Sequence, residues 1–125
     1  MREIKFRGRP YNSKQWLYGS LIIEEDPNAD NLKYFIKPFN QLVGKIVDPE
    51  TIGQFTGLKD IDGKEIYEGD ILNWDGTLGI VYWDEWIASF ALGNIKGPNN
   101  TIPISQDIAI KMKIVSNVYE SPKNV

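Results

Sequence analysis

The sequence predicts a mainly β, single-domain protein with helix limited to short turns. In several short segments, apolar side chains recur at every second position, which is the side-chain period of a strand. No window carries a long 3.6-residue pattern, and 11 glycines and 7 prolines divide the chain into short segments. A chain of this length suits one domain, so we expect residues 1–125 to form a single one.

The strands follow in chain order from the alternation of apolar and polar residues. We expect them at Ile4–Arg7, Gln15–Ile23, Tyr34–Ile36, Thr51–Phe55, Asp70–Trp74, Leu78–Trp83, Trp86–Leu92 and Ile110–Ile114, the last continuing to Tyr119. A short helical turn is expected at residues 48–50, where Asp48 suits a cap and Pro49 the first helical position. Another is expected at residues 105–109. Polar loops are expected at residues 24–31 and 93–100.

Three strands between residues 70 and 92 form the most informative region. Asp75-Gly76 between two apolar runs favours a tight hairpin. Leu78–Trp83 and Trp86–Leu92 are apolar at both parities, which is typical of central strands and of barrels. This meander, entered through Glu68-Gly69-Asp70, predicts an SH3-like small barrel.

Composition excludes several kinds of chemistry. The chain has no Cys and no His, so it lacks disulfides, thiolate ligands, cysteine nucleophiles and the commonest general base. We expect no enzyme activity, no cofactor and no bound metal. The formal net charge of −3 disfavours general nucleic-acid binding. No apolar run is long enough for a signal peptide or a membrane span, so we expect a cytoplasmic protein without membrane contact.

Four segments resemble, in order, the YopX family of bacteriophage and prophage proteins. The signature lies at residues 57–71, GLKDIDGKEIYEGDI, and is preceded by PETIGQFTG at residues 49–57. The opening MREIKFR and the closing IVSNVYESP at residues 114–122 agree with it. The resemblance implies a small, largely β, cytoplasmic protein of phage origin. It brings no agreed activity and no catalytic residues. The chain departs from the family pattern at residues 24–32 and 93–108.

Acidic residues in the signature invite a calcium interpretation that their spacing contradicts. With Gly63 at position 6 of an EF-hand loop, Leu58 and Gly69 occupy positions 1 and 12, where oxygen ligands are required. We therefore assign a structural loop to five residues of the signature: Asp60, Asp62, Gly63, Gly69 and Asp70. Asp84-Glu85 likewise suits a solvated turn better than a pair of catalytic carboxylates.

Aromatic residues of the meander are candidates for partner binding. The expected set is Trp74, Tyr82, Trp83 and Trp86, with Phe90 nearby. Three interpretations stay open: a dense core with a self-association surface, a groove for a partner peptide, and a stacking platform for single-stranded nucleic acid.

Basic residues at the start of the chain are the second candidate. The first nine residues contain four basic ones, Arg2, Lys5, Arg7 and Arg9. Alternation places Lys5 and Arg7 on the face of their strand opposite its apolar side chains. This is typical of a half-solvated edge strand, and weak phosphate binding is the alternative. We therefore expect a non-enzymatic protein-binding adaptor or regulator that forms a homo-oligomer. The alternatives are a nucleic-acid-associated protein and, less favoured, a hydrolase that uses carboxylates alone.

Overall fold

The computed structural model describes residues 2–94 and 101–120, and within them the chain is mainly β, as predicted. The described strands are β1 Phe6–Gly8, β2 Leu17–Glu25, β3 Leu32–Lys37, β4 Lys45–Ile46, β5 Gly53–Lys59, β6 Glu65–Tyr67, β7 Asp70–Trp74, β8 Thr77–Asp84, β9 Ser89–Asn94, β10 Ile102–Pro103 and β11 Lys113–Asn117. Among these residues, helical structure is confined to a 3₁₀ turn, Pro49–Thr51, and to α1, Gln106–Ala109.

By its internal contacts the chain divides into two compact units, residues 1–54 and 55–125. The boundary falls inside β5. The expectation that residues 1–125 make one domain stays a prediction.

The first unit is an antiparallel sheet in the order β4-β3-β2-β1, and the first two residues of β5 pair with β1. Ile36 and Val47 lie at its centre and are completely buried. Gly8 lets the backbone of β1 approach them: a Cβ at this position would lie 3.2 Å from both side chains.

Strand β1 is not the half-solvated edge strand that the sequence predicted. It pairs with β2 on one side and with β5 on the other, so it lies inside the sheet. Arg7 and Arg9 are only 5% and 7% exposed. Their guanidinium carbons lie 4.2 and 4.3 Å from the centroid of a Trp16 ring. Stacking on an aromatic ring lets a weakly hydrated guanidinium be buried, which alternation of residue types cannot reveal.

The second unit contains the hairpin β5–β6 and a five-stranded antiparallel sheet in the order β10-β9-β8-β7-β11. Its core is aliphatic and consists of Ile66, Leu72, Val81, Leu92, Ile104, Ala109 and Met112. A short, curled antiparallel meander closed by β11 fits the SH3-like small barrel expected from the sequence.

Two local predictions are confirmed in detail. Asp75 and Gly76 have φ of 51° and 89°, as a type I′ turn requires, and Trp74 pairs with Thr77 across it. Asp48 Oδ1 accepts the N–H of Glu50 at 3.0 Å and caps the 3₁₀ turn.

Other boundaries differ from the expectation. Residues 85–88 form a four-residue turn, so Trp86 lies in this turn and β9 begins only at Ser89. The short strands β4, β6 and β10 were not predicted, because two or three residues carry no readable period. The polar loop expected at residues 93–100 falls mostly outside the described residues.

Candidate functional site

The aromatic residues of the meander lie in two places. Trp74 stands opposite Thr77 at one end of the β7–β8 hairpin, whereas Trp83 stands opposite Phe90 near the far end of β8. Six residues of strand separate Thr77 from Trp83, which corresponds to about 20 Å at ~3.3 Å per residue. The expected set therefore does not form one surface, and each end has to be considered separately.

The far end is a turn with a defined shape, residues 83–90, which we call the Trp86 turn. Asp84 organises it: Oδ1 accepts the backbone N–H of Trp86 at 2.9 Å, and Oδ2 accepts the hydroxyl of Tyr82 at 3.2 Å. The Tyr82 hydroxyl also bonds Thr101 Oγ1 at 2.7 Å. Tyr82 thus supports the turn from β8, and its expected role in contacting a partner stays a prediction.

Apolar side chains of the Trp86 turn face water. Trp86 is 97% exposed, Ile87 46% and Trp83 44%. The Trp83 and Phe90 rings meet edge to face, with centroids 5.1 Å apart at 76°, which fixes the base of the turn. An indole held almost wholly in water adds nothing to the core, and exposed aromatic clusters mark interaction surfaces.

Asp60 is a structural anchor in this geometry. It is 2% exposed, and its Oδ1 accepts the N–H groups of Asp62 and Lys64, each at 2.9 Å. Its Oδ2 accepts the N–H of Ile114 at 3.0 Å. Gly63 completes the turn with φ of 79°. The side chain of Asp62 is exposed, and Asp62 contributes to the turn through its backbone N–H. Both oxygens of Asp60 are therefore engaged by backbone donors.

Gly69 and Asp70 hold the entry to the meander. Asp70 Oδ2 accepts the N–H of Tyr67 at 2.8 Å, and Asp70 is 2% exposed. Gly69 has φ of 91°; it donates to the carbonyl of Val81 and accepts from the N–H of Val118, both at 2.9 Å. These bonds join the entry turn to β8 and to the chain after β11. In the described part of the chain, no group of three Asp, Glu, His or Cys residues is arranged to hold a metal ion.

The basic residues at the start of the chain do not share one open face. Arg2 is exposed, Lys5 is half-buried with its Nζ 2.9 Å from a carboxylate oxygen of Glu3, and Arg7 is buried against Trp16. Burial leaves Arg7 no open surface on which to meet a phosphate or a partner. The partner-binding role expected of Arg2 and Lys5 stays a prediction.

Two surface features were missed by the sequence interpretation. The first is the segment Pro38–Gly44, which we call the Leu42 loop; in it Leu42 is 97%, Val43 72% and Phe39 61% exposed. The sequence did contain a sign of this exposed loop, because three large apolar residues fall within five positions of a stretch without strand alternation. The second, which we call the Trp74 groove, has a volume of about 500 Å³ and is lined by Trp74, Asp75, Thr77, Leu78, Gly79, Leu92, Gly93 and Ile102.

Comparison with known proteins identifies the family. The model of the YopX protein family matches residues 5–125, which is nearly the whole chain, so the protein belongs to the YopX family. The comparison with curated proteins gave no match. Across residues 2–94 and 101–120, no helix combines the length and apolar character that a membrane crossing requires.

Proposed function

Starting from membership in the YopX family, we propose that this protein is a non-enzymatic protein-binding adaptor or regulator whose contact surface is the Trp86 turn. The observation that carries the proposal is the 97% exposure of Trp86 on a turn whose backbone is held in place by Asp84. An aromatic side chain has few rotatable bonds and so loses little conformational entropy on binding, and Trp is enriched among residues that dominate binding energy.

The charge around the turn favours a protein partner over nucleic acid. Asp84 and Glu85 flank the exposed indole, and carboxylates repel phosphate. Stacking platforms for single strands place basic groups beside their aromatic residues. From residue 65 to residue 95 the chain contains no Lys or Arg at all. A partner that carries a Lys or Arg beside an apolar pocket would complement both the carboxylates and the exposed indole of the turn.

Three of the acidic residues singled out in the sequence have structural roles, which supports the non-enzymatic part of the proposal. Asp60 and Asp70 are buried and accept backbone N–H bonds, and Asp84 bonds the Trp86 turn. A chain without His and Cys leaves carboxylates as its main acid–base groups near neutral pH. Phage origin, a cytoplasmic location and oligomerisation stay predictions.

The test is affinity capture with matched variants. Tagged wild type, Trp86→Ala and Tyr11→Ala are expressed in bacterial cells, and bound proteins are compared quantitatively. Tyr11 is a suitable control because it is an aromatic residue, 55% exposed, in the other unit. We expect Trp86→Ala to lose a specific partner that Tyr11→Ala retains, with both variants melting close to wild type.

Measurement of the affinity for the purified partner gives the size of the contribution of Trp86 to binding. Truncation of a binding residue of this kind costs about 2 kcal/mol or more, so Kd should rise roughly 30-fold. Equal capture by wild type and Trp86→Ala would refute the proposal. Tight, salt-dependent binding of single-stranded or duplex DNA that Trp86→Ala abolishes would instead favour the nucleic-acid alternative.

A further inference from the structure

The Leu42 loop is an apolar projection that the proposed function does not use. Leu42 is 97% exposed, Val43 72% and Phe39 61%, so these side chains bury little of their surface within the chain. Strand β4, which follows the loop, is the last strand of its sheet in the described chain and pairs only two of its residues with β3. Exposed apolar groups in one short segment are costly in water unless another surface covers them.

The Trp74 groove is an apolar recess in the second unit. Gly79 forms part of it, and Leu92 fills the space that a side chain there would take: a Cβ on Gly79 would lie 2.5 Å from Leu92 Cγ. Trp74, which remains 38% exposed, and Ile102 also line it. A volume of about 500 Å³ lies within the ~300–1,000 Å³ of ligand pockets and accommodates more than one aliphatic side chain.

The two features carry opposite charge. Residues 38–45, the Leu42 loop and the residue that follows it, hold one basic residue, Lys45, and no acidic one. Among the residues that line the groove, Asp75 is acidic and none is basic. Lys45 beside the loop is exposed, and Asp75 lies at the groove. Such complementarity guides association and fixes its orientation.

We propose that the Leu42 loop of one copy inserts into the Trp74 groove of a second copy, with Lys45 facing Asp75 of that copy. The occupant of the groove is thus another molecule of the same chain. The contact joins two unlike surfaces, and each molecule offers one loop and one groove. The association is separate from binding through the Trp86 turn.

The test uses one variant for each side of the contact. Leu42→Glu places a charge on the loop and leaves the groove intact. Thr77→Arg, at an exposed position of β8 that lines the groove, obstructs the groove and repels Lys45 while leaving the loop intact. Light scattering coupled to size exclusion should show wild type growing above 14.3 kDa with concentration, and each variant alone at 14.3 kDa.

Mixing the two variants distinguishes this contact from one between two like surfaces. Together they restore one functional loop and one functional groove, so the mixture should form a 1:1 species of twice 14.3 kDa and nothing larger. The matched control is Ile61→Glu, at an apolar position that is 57% exposed and belongs to neither surface. It should associate as wild type does.

Several results would overturn the proposal. Wild type that stays at 14.3 kDa at every concentration contradicts it. Association that survives Thr77→Arg points to a two-fold contact between Leu42 loops. A mixture of the two variants that stays monomeric also contradicts the loop–groove contact. If Leu42→Glu does not fold, Val43→Glu, at a 72% exposed position, replaces it in the same design.

Discussion

The carboxylate of Asp60 accepts a hydrogen bond at 3.0 Å from the backbone N–H of Ile114, 54 positions further along the chain. The same carboxylate accepts the N–H groups of Asp62 and Lys64, and the N–H of Ile61 donates to the carbonyl of Met112 at 2.8 Å. One buried side chain therefore holds the turn between β5 and β6 and fastens it to the last strand. The acidic part of the family signature explains how the second unit closes.

Removal of this anchor should destabilise the fold strongly. In Asp60→Ala, three backbone donors lose their acceptor at a site that is 2% exposed. An unsatisfied buried donor costs ~1–3 kcal/mol, and partial hydration offsets some of the loss, so we expect about 3 kcal/mol. At this chain length that corresponds to a fall in melting temperature of roughly 10 °C, measured by circular dichroism or calorimetry.

Asp62→Ala is the matched control for that variant. Asp62 is exposed, and its described contribution to the turn is its backbone N–H, which alanine keeps. It should melt within about 2 °C of wild type, because surface changes usually stay within ~0.5 kcal/mol. Similar melting temperatures for Asp60→Ala and wild type, with partner capture abolished, would make the acidic loop a binding site instead.

Gly63 should show a purely conformational cost. Its φ is 79°, and no atom lies within 4 Å of where a Cβ would stand, so a side chain fits but the backbone angle does not suit it. Gly63→Val should lose about 1–2 kcal/mol, or roughly 4–8 °C in melting temperature. Gly63→Asn should lose much less, because Asn adopts the left-handed region more readily. Equal losses for Val and Asn would contradict the conformational explanation.

Local chemistry in the sequence predicted the turns of this fold well. Asp75-Gly76, the cap at Asp48 and the turn at Asp60 depend on residues close together in the chain. Such interactions can therefore be predicted from a few neighbouring residues. The strands from Asp70 to Asp84 followed from apolar runs bounded by such turns.

Burial was less predictable, because it depends on residues distant in the chain. Alternation assigned Arg7 to a solvated face, yet pairing of β1 with β5 and stacking on Trp16 bury it. The spacing of Trp74 and Trp86 in the chain suggested one aromatic surface, whereas the length of β8 places them at opposite ends. The sequence patterns gave no prediction for Leu42, and only the tertiary structure shows that it is exposed to water.

Purified protein should hold no stoichiometric transition metal. Zn²⁺ and Cu²⁺ sites in proteins use His or Cys ligands in most cases, and the chain has neither. Elemental analysis by mass spectrometry after exhaustive dialysis measures the content. We expect well under one metal ion per chain, and no change in melting temperature on addition of a chelator. One tightly held Zn or Cu per chain would contradict this prediction and require a carboxylate or backbone site.

Asp84 should govern how the Trp86 turn presents its indole. Asp84→Ala removes the acceptor for the N–H of Trp86 and the partner of the Tyr82 hydroxyl, so the turn loses the bonds that fix its shape. We expect the Trp86 amide to exchange its hydrogen at least tenfold faster, measured by NMR or by hydrogen-exchange mass spectrometry, since a tenfold change corresponds to about 1.4 kcal/mol of lost protection. Asp84→Asn keeps an oxygen acceptor at the same place and should stay close to wild type in exchange.

Binding of the captured partner should therefore fall for Asp84→Ala through loss of preorganisation, while Asp84→Asn reports the contribution of the charge alone. Unchanged exchange and unchanged binding in Asp84→Ala would show that β8 and β9 position Trp86 without the carboxylate.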